Sequence, residues 1–167
     1  FGVDPSNIER IILSHADWDH TGGIDIIRYS PNASVYLPAG ALQSIDKKLR
    51  AAGHKGNTVE ITRAGDVSDD MLVTSRLGRR KKEISLCVRT PPGLVVVTGC
   101  AHPGLPQIVR HAAQFGNIYA VIGGFHGFRK LEALADVPLI VPCHCTRRKS
   151  RIVERYPDRA LCGYAGM

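Results

Sequence analysis

The sequence predicts a layered α/β domain whose central strands are buried. Short apolar runs alternate with helix-like stretches along the chain, a pattern typical of a sheet covered by helices. Four of the apolar runs are each followed, within a few residues, by a histidine. Because ligands of α/β folds bind in the loops beyond the strand ends, this second regularity predicts one histidine-rich site.

The amino-terminal half predicts strands at its apolar runs and helices where apolar residues follow a helical spacing. Residues 22–30 form a predicted short helix that ends before Pro31. Residues 39–52 form a predicted amphipathic helix closed by Gly53. The strands predicted in this half are 10–14, 34–38, 58–62, 71–75 and 83–90.

The carboxyl-terminal half predicts three buried strands, each followed by a helix. The predicted strands are 93–99, 118–124 and 138–142. The predicted helices are 105–115, with Pro106 in its first turn, 128–135, and 146–155, with Thr146 as its N-cap. Neither an internal repeat nor a low-complexity linker is visible, so we expect one domain covering residues 1–167.

The composition is ordinary for a globular domain, with 44% hydrophobic and 22% charged residues. No apolar run approaches the ~18 residues that a membrane-spanning helix needs. The five cysteines include no Cys-x-x-Cys pair, which argues against a disulfide framework and against a structural zinc ribbon. We therefore expect a protein of a reducing compartment, the cytoplasm, with no membrane partner.

The chain is basic, with a net charge of +7, and much of the charge lies in residues 79–82 and 147–151. This balance favours an anionic partner, either a small molecule or a nucleic acid, although a solvated surface also explains the run at 79–82. Aromatic residues make up only 6% of the chain and are absent from both basic runs, so they offer nucleic-acid bases no stacking platform. An anionic small molecule is therefore the favoured partner.

The segment SHADWDHTGG, residues 14–23, contains two histidines and two aspartates. Imidazole nitrogens and carboxylate oxygens are ligands for zinc, iron or manganese. Alternate side chains can point at two adjacent ions, so that His15 and Asp17 reach one ion while Asp19 and His20 reach a second. An Asx-rich loop that caps the next helix is the alternative, but it does not account for the histidines.

This segment resembles the His-x-His-x-Asp-His-x-Gly-Gly signature of the metallo-β-lactamase superfamily. The segments VVVTGCAHPG, VIGGFHGF and IVPCHCT follow in the order and spacing of one branch, and KKEISLCVRTPPGLVVVTGCAHPG resembles its glutamate-containing strand pair. That branch holds metal-dependent hydrolases and relatives of the dihydropterin-ribofuranosylaminobenzene phosphate synthases of methanopterin biosynthesis. The resemblance covers nearly the whole chain and implies an αβ/βα sandwich with a dinuclear metal site at one edge.

The resemblance also implies the cofactors, two divalent metal ions, with zinc favoured over iron or manganese. The implied metal ligands are His15, Asp17, Asp19, His20, His102 and His144. Cys100 falls near the position where other branches place a bridging aspartate, although a small buried residue is the favoured interpretation there. Asp19 is expected to orient the attacking nucleophile. His126 is expected to be a further ligand or a catalytic group that protonates the leaving group or holds the oxyanion.

The sequence departs from the family pattern in two places. Asp17 stands where the family usually has its second histidine, which makes the pocket more negative and shifts its preference from zinc towards iron or manganese. It should also make bound water less acidic. In addition, only about a dozen residues precede the first motif, where the family has a strand-rich segment. We therefore expect either a domain that is incomplete at its amino-terminal side or a trimmed variant that covers an exposed sheet edge in another way.

Other residues with notable chemistry are expected to lie outside the chemical site. Cys143 and Cys145 are expected to pack, and Trp18 to shield the site or pack below it. His54 and His111 are expected to be plain surface or helix-face residues.

The leading functional hypothesis is a metal-dependent hydrolase in which an activated water attacks an ester, a lactone or a phosphoester. A pterin-linked synthase of the methanopterin type, a nucleic-acid phosphodiesterase and a non-catalytic metal-binding domain remain alternatives. Homo-oligomerisation also remains open, and the sequence does not name the substrate.

Overall fold

The computed structural model describes residues 2–164, which form two β-sheets flanked by helices. The strands are β1 (Arg10–Ile12), β2 (Ser34–Pro38), β3 (Thr58–Ile61), β4 (Gly65–Ser68), β5 (Met71–Val73), β6 (Leu86–Thr90), β7 (Gly93–Thr98), β8 (Ile118–Gly124) and β9 (Leu139–Cys143). The α-helices are α1 (Trp18–Thr21), α2 (Leu42–Ala51), α3 (Leu105–Ala112) and α4 (Lys149–Arg155). Short 3₁₀-helices cover Pro5–Asn7, Ile24–Arg28 and Leu131–Leu134.

The two sheets differ in topology. The first is parallel throughout, with strand order β1-β2-β3. The second has strand order β4-β5-β6-β7-β8-β9, antiparallel from β4 to β7 and parallel from β7 to β9. Thr98 pairs with Gly123, and Gly124 pairs with Cys143, so the carboxyl ends of the three parallel strands finish side by side. The loops that leave these three ends therefore start close together.

Buried side chains define four layers in the order helix, sheet, sheet, helix. Ile45 of α2 packs on the first sheet, and Ile108 of α3 and Ile152 of α4 pack on the second. Between the sheets, Val73 of β5 belongs to a small core against which Ile12 of β1 packs. The layers follow from the sequence, since strands covered on both faces need apolar side chains on both. The predicted αβ/βα sandwich is confirmed.

The predicted strands are all present, although those expected at 10–14, 71–75 and 83–90 are each shorter than predicted by two or three residues. Strand β4 was not predicted, because the segment GDVS contains no apolar run. Within residues 2–164, no helix is both long and apolar enough to cross a membrane.

Two of the predicted helices are wrong in type. The segment 22–30 forms a 3₁₀-helix over Ile24–Arg28, and the segment 128–135 forms one over Leu131–Leu134. In the first case the segment lies between a glycine pair and Pro31, which lacks the N–H that would continue an α-helical ladder. The backbone instead closes i to i+3 bonds, such as that from Tyr29 N–H to the carbonyl of Ile26.

The predicted N-cap role of Thr146 is also wrong. Helix α4 begins at Lys149, and its N-cap is Arg148. The buried Thr146 hydroxyl instead accepts a 2.8 Å hydrogen bond from the backbone N–H of Phe125. This bond ties the loop after β9 to the loop after β8, and both loops carry histidines.

Candidate metal centre

Five histidines from four loops meet at one place in the structure. The ring centroids of His15 and His20 are 4.1 Å apart, and those of His15 and His102 are 4.9 Å apart. His20 and His144 lie 4.8 Å apart, and His102 and His126 lie 5.0 Å apart, measured in the same way. The histidines follow β1, β7, β8 and β9, so the strand-end pattern in the sequence corresponds to one cluster in space.

The first group of donor atoms comes from His15, Asp17 and His102. Asp17 Oδ2 lies 3.5 Å from His15 Nε2 and 3.6 Å from His102 Nε2. Both nitrogens are buried and have no hydrogen-bond partner among the described residues. Such orphaned nitrogens are rare, and a metal ion would satisfy them. Cys100 Sγ lies within 4.8 Å of the ligand nitrogens of both histidines.

The second group comes from Asp19, His20, His144 and, again, Cys100. His20 Nε2 lies 3.1 Å from His144 Nε2 and 3.2 Å from Cys100 Sγ. Asp19 Oδ2 lies 3.3 Å from His144 Nε2 and 3.7 Å from His20 Nε2. Nitrogen and oxygen ligands bound tetrahedrally to one zinc ion lie about 3.4 Å from each other. The donor set and spacing of both groups therefore fit a divalent metal ion.

Cys100 is the residue that the two groups share. Burial and a contact with Cys145 raise the pKa of its thiol, so the group carries its proton at neutral pH. Cysteine binds metals as the thiolate, and a metal ion would therefore displace this proton. The sequence favoured a plain buried residue here. Cys100 is indeed 4% exposed, but its sulfur faces both groups.

One hydroxyl orients two of the imidazoles. Ser14 Oγ lies 3.0 Å from His15 Nδ1 and 3.3 Å from His20 Nδ1. When each ring carries its proton on Nδ1 and donates it to this oxygen, both Nε2 atoms are free to bind metal. A Cβ atom at position 99 would lie 2.2 Å from Ser14 Oγ, so only glycine fits beside the hydroxyl.

Glu83 is a buried carboxylate that holds the loop after β7 in place, a role not predicted from the sequence. Its Oε1 accepts hydrogen bonds from the N–H groups of Cys100, at 3.1 Å, and Ala101, at 2.9 Å. Its Oε2 accepts a 2.9 Å bond from the N–H of His102. These bonds hold Ala101 at φ +54°, a left-handed conformation that costs about 1 kcal/mol or more. The sequence signal for this role of Glu83 is a single glutamate that precedes an apolar run.

The loops after β8 and β9 are also strained at their histidines. His126 has φ +47° and His144 has φ +44°, values uncommon for residues other than glycine. The strand ends approach closely beneath them. A Cβ atom at Gly124 would lie 2.3 Å from the carbonyl oxygen of Gly99 and 2.7 Å from Cys145 Sγ.

We expect Gly124→Ala to destabilise the protein by about 1–3 kcal/mol, because the new methyl group forces β7 and β8 apart. Metal content should fall with stability, since Cys100 directly follows Gly99. Urea unfolding with elemental analysis would measure both effects. Gly65→Ala is the matched control, since nothing lies within 4 Å of a Cβ atom there. Equal losses of stability in the two variants would contradict the conclusion that β7 and β8 approach too closely at Gly124 to admit a methyl group.

Three histidines of the cluster, His15, His20 and His126, favour the neutral form. Burial lowers the pKa of His15 to about 4 and also lowers the pKa of His20. Burial, with His102 nearby, lowers the pKa of His126. A hydrogen bond from Lys81 Nζ to Asp17 Oδ2 lowers the pKa of that carboxyl group. Neutral imidazoles and ionised carboxylates are the forms that bind metal.

The metal-free protein is expected to lose stability in mild acid. Because the pKa of His15 is about 4 in the folded state and near 6.5 in the unfolded chain, the unfolded chain takes up the proton first. The contribution of His15 to the free energy of unfolding is therefore fully present above pH 6.5 and is lost as the pH falls towards 4. The loss amounts to about 2 kcal/mol by pH 5. Urea midpoints between pH 7.5 and 5 would measure it. His15→Gln should flatten the profile, whereas a profile as steep in that variant would refute the assignment.

His54, His111 and Trp18 lie outside the cluster, whereas Cys145 contacts Cys100, with its Sγ 3.9 Å from the carbonyl oxygen of that residue. His54 Nε2 contacts the carbonyl of Ala33 at 2.9 Å, and His111 Nε2 accepts a bond from the N–H of Ser75 at 3.1 Å. Both histidines therefore have structural contacts. The expectation that Trp18 shields the site is wrong, since its side chain is 81% exposed on α1.

Sequence comparison gives two matches. The sequence model of the metallo-β-lactamase superfamily matches residues 1–112. The chain is also similar to the 7,8-dihydropterin-6-methyl-4-(β-D-ribofuranosyl)-aminobenzene-5′-phosphate synthase of Methanocaldococcus jannaschii, with 27% identity over 170 residues. That alignment covers 74% of this chain, which spans 58% of the length of the curated relative.

Structure comparison gives matches of the same architecture. A metal-dependent hydrolase of the β-lactamase superfamily aligns over 95% of this chain and 78% of its own, with 25% identity and a TM-score of 0.77. The metallo-β-lactamase fold protein YhfI from Bacillus subtilis aligns over 99% and 79%, with 10% identity and a TM-score of 0.68. An N-acyl homoserine lactone hydrolase aligns over 97% and 58%, with 17% identity and a TM-score of 0.50.

Proposed function

Because the chain belongs to the metallo-β-lactamase superfamily, we propose that it is a metal-dependent hydrolase acting on an ester, a lactone or a phosphoester. The observation that carries the proposal is the meeting of two donor groups at one sulfur, that of Cys100. A purely structural cluster would not need two buried imidazole nitrogens without hydrogen-bond partners.

The proposed cofactors are two divalent ions, zinc or, because of the Asp17 carboxylate, iron or manganese. Bound ions would supply Lewis acidity and hydroxide at neutral pH. The proposed ligands of one ion are His15, Asp17 and His102, and those of the other are Asp19, His20 and His144, with Cys100 between the two. All five cysteines are free thiols, which supports a reducing compartment such as the cytoplasm.

Asp19 and His126 are the proposed catalytic side chains. The Asp19 carboxylate lies at the exposed face of the second group, where it can accept a hydrogen bond from an attacking water and orient it. The lowered pKa of His126 keeps its ring neutral, so its N–H is suited to stabilise an oxyanion by donating a hydrogen bond. This favours the oxyanion role over transfer of a proton from an imidazolium.

A cavity of about 260 Å³ beside His126 offers room for the apolar part of a substrate. His102 and His126 line it, and Leu105, Phe125 and Phe128 supply apolar walls. An acyl chain or a ring placed there would hold the scissile bond next to His126 and exclude water from one side of it.

Elemental analysis beside a panel of nitrophenyl esters, lactones and phosphoesters would test the proposal. Two bound ions together with turnover that His126→Ala reduces by about a hundredfold would support a hydrolase. His111→Ala is the matched control for loss of an imidazole. Bound metal with no turnover on any of these substrates would instead support a non-catalytic metal-binding domain.

The similarity to the M. jannaschii synthase favours one second candidate, a pterin-linked synthase. This chain would then condense a pterin with a second substrate, and the same site would hold the leaving group. The distinguishing assay is release of diphosphate from a dihydropterin carrying that leaving group. Release that requires the second substrate would favour the synthase, and its absence beside active ester hydrolysis would eliminate it.

A further inference from the structure

A basic cavity of about 630 Å³ opens beside the proposed metal centre and shares His102 with it. The polar side chains on its wall are Arg76, Arg79, Arg80, Lys81, His102 and Gln107. Its volume lies within the range of small-molecule sites. The cavity therefore has the size and position to hold the part of a substrate that adjoins the reacting bond.

The arginines of this cavity are not neutralised within the described structure. Within residues 2–164, no carboxylate lies within 4.0 Å of the guanidinium groups of Arg76, Arg79 or Arg80. The arginines that do form ion pairs in this part of the chain are Arg10, Arg28, Arg50 and Arg89. Arg76 Nη1 donates a 3.1 Å hydrogen bond to the carbonyl of Ala39, which leaves its other N–H groups available. Three guanidinium groups without a carboxylate partner around one cavity favour an external anion, because a guanidinium group can donate paired hydrogen bonds to its oxygens.

The basic turn, residues 78–82, is held next to the proposed metal centre by hydrogen bonds. Leu77 and Glu83 exchange two backbone hydrogen bonds of 2.9 and 3.0 Å, which close the turn between them. Lys82 Nζ donates a 3.0 Å bond to the carbonyl of Gly78, whose φ of +93° makes the turn tight. The Glu83 carboxylate also holds the loop of His102. One residue therefore fixes both the basic turn and a candidate metal ligand.

Lys81 connects the two sites chemically. It lines the cavity, and its ammonium group donates a hydrogen bond to Asp17 Oδ2, which faces the nitrogens of His15 and His102. An anion held by the arginines would therefore lie one side chain away from the first donor group.

We propose that this cavity binds a phosphate group of the substrate, next to the bond that is broken. The assignment of a substrate role rests on the proposed function, whereas the anion site itself rests on the cavity and its unpaired arginines. Phosphate fits better than carboxylate, because a dianion with three free oxygens can bond to more than one guanidinium group at once.

Titration of the metal-loaded protein with inorganic phosphate by calorimetry would test the site. Arg79→Ala/Arg80→Ala removes two exposed charges from the turn and should weaken phosphate binding by about tenfold or more. The matched control is Lys47→Ala/Arg50→Ala, which removes two exposed charges from α2 and should leave binding within about twofold. Acetate should bind the unaltered protein more weakly than phosphate, and the reverse order would overturn the choice of phosphate.

Kinetics separate this inference from the proposed hydrolase function. With 4-nitrophenyl phosphate as substrate, KM of the double arginine variant should rise about tenfold, while KM for the neutral 4-nitrophenyl acetate should change far less. Loss of phosphate affinity without turnover in any variant would sink the hydrolase and leave the anion site standing. Turnover with unchanged phosphate affinity in the arginine variant would sink the anion site alone.

A nucleic acid is the competing anionic partner. A single-stranded oligonucleotide titrated under the same conditions should bind no more tightly than inorganic phosphate. Tight binding that falls steeply with salt and is lost in Arg79→Ala/Arg80→Ala would make the turn a nucleic-acid contact and overturn the small-molecule assignment.

Discussion

Glu83→Ala is expected to reduce the free energy of unfolding by roughly 3–5 kcal/mol. The substitution leaves the backbone N–H groups of Cys100, Ala101 and His102 without their common acceptor. Each buried donor left unpaired costs about 1–3 kcal/mol. Since a domain of this kind has a total stability of about 5–15 kcal/mol, most of it could be lost.

Urea unfolding of Glu83→Ala beside Glu60→Ala would measure this effect. The carboxylate of Glu60 also accepts a backbone hydrogen bond, from the N–H of Gly40 at 2.7 Å, but it does so at the exposed surface. The control should therefore lose at most about 1 kcal/mol. Glu83→Gln should fall between the two, because its amide oxygen still accepts while its NH₂ group opposes an N–H donor. A loss in Glu83→Ala no larger than that in the control would refute the role assigned to the carboxylate.

His20→Ala is expected to remove at least one equivalent of bound metal. The substitution deletes the nitrogen that lies 3.1 Å from His144 Nε2 and 3.2 Å from Cys100 Sγ, and thus the centre of the second group. Loss of a partner that only orients a ligand typically lowers metal affinity 10–100-fold, so loss of the ligand itself should exceed about a hundredfold. Elemental analysis of the purified variant measures the change directly.

The matched control for that variant is His54→Ala, which removes an imidazole whose contact is with the carbonyl of Ala33, outside the cluster. Its metal content should equal that of the unaltered protein. Unchanged metal content in His20→Ala would remove the basis for the metal centre. A fall in both variants would point to general destabilisation, which unfolding curves recorded on the same samples would reveal.

The position of the site was predictable because it depends on topology. Apolar strands followed by histidines predicted convergence, since the carboxyl ends of parallel strands finish at the same edge of a sheet. The register that pairs Thr98 with Gly123, and Gly124 with Cys143, produces this convergence. The resemblance to the superfamily also matched individual positions of this chain, such as His144, to the metal ligands of the family.

What the sequence could not predict depends on contacts between residues distant along the chain. The central position of Cys100 follows from how the loop after β7 is held, and Glu83 holds that loop from the turn that precedes β6. The bond from Phe125 N–H to the Thr146 hydroxyl likewise joins two separate loops. Trp18 is exposed although Asp17 and Asp19 on either side of it belong to the donor groups, and the sequence pattern alone does not show which of the three side chains points away from the site.

The hydroxyl of Ser14 has a consequence for the order in which ions load. It has a single proton and can donate it to only one of its two imidazole neighbours, so at least one of His15 and His20 always has its own proton on Nδ1. An ion on one ring fixes the proton of that ring on Nδ1, where it is donated to the serine oxygen, and leaves the serine proton free to be donated to Nδ1 of the other ring. The second ion must reverse that bond before it can bind Nε2 of the other ring, so we expect it to bind more weakly than the first, and a binding isotherm would show two separate steps.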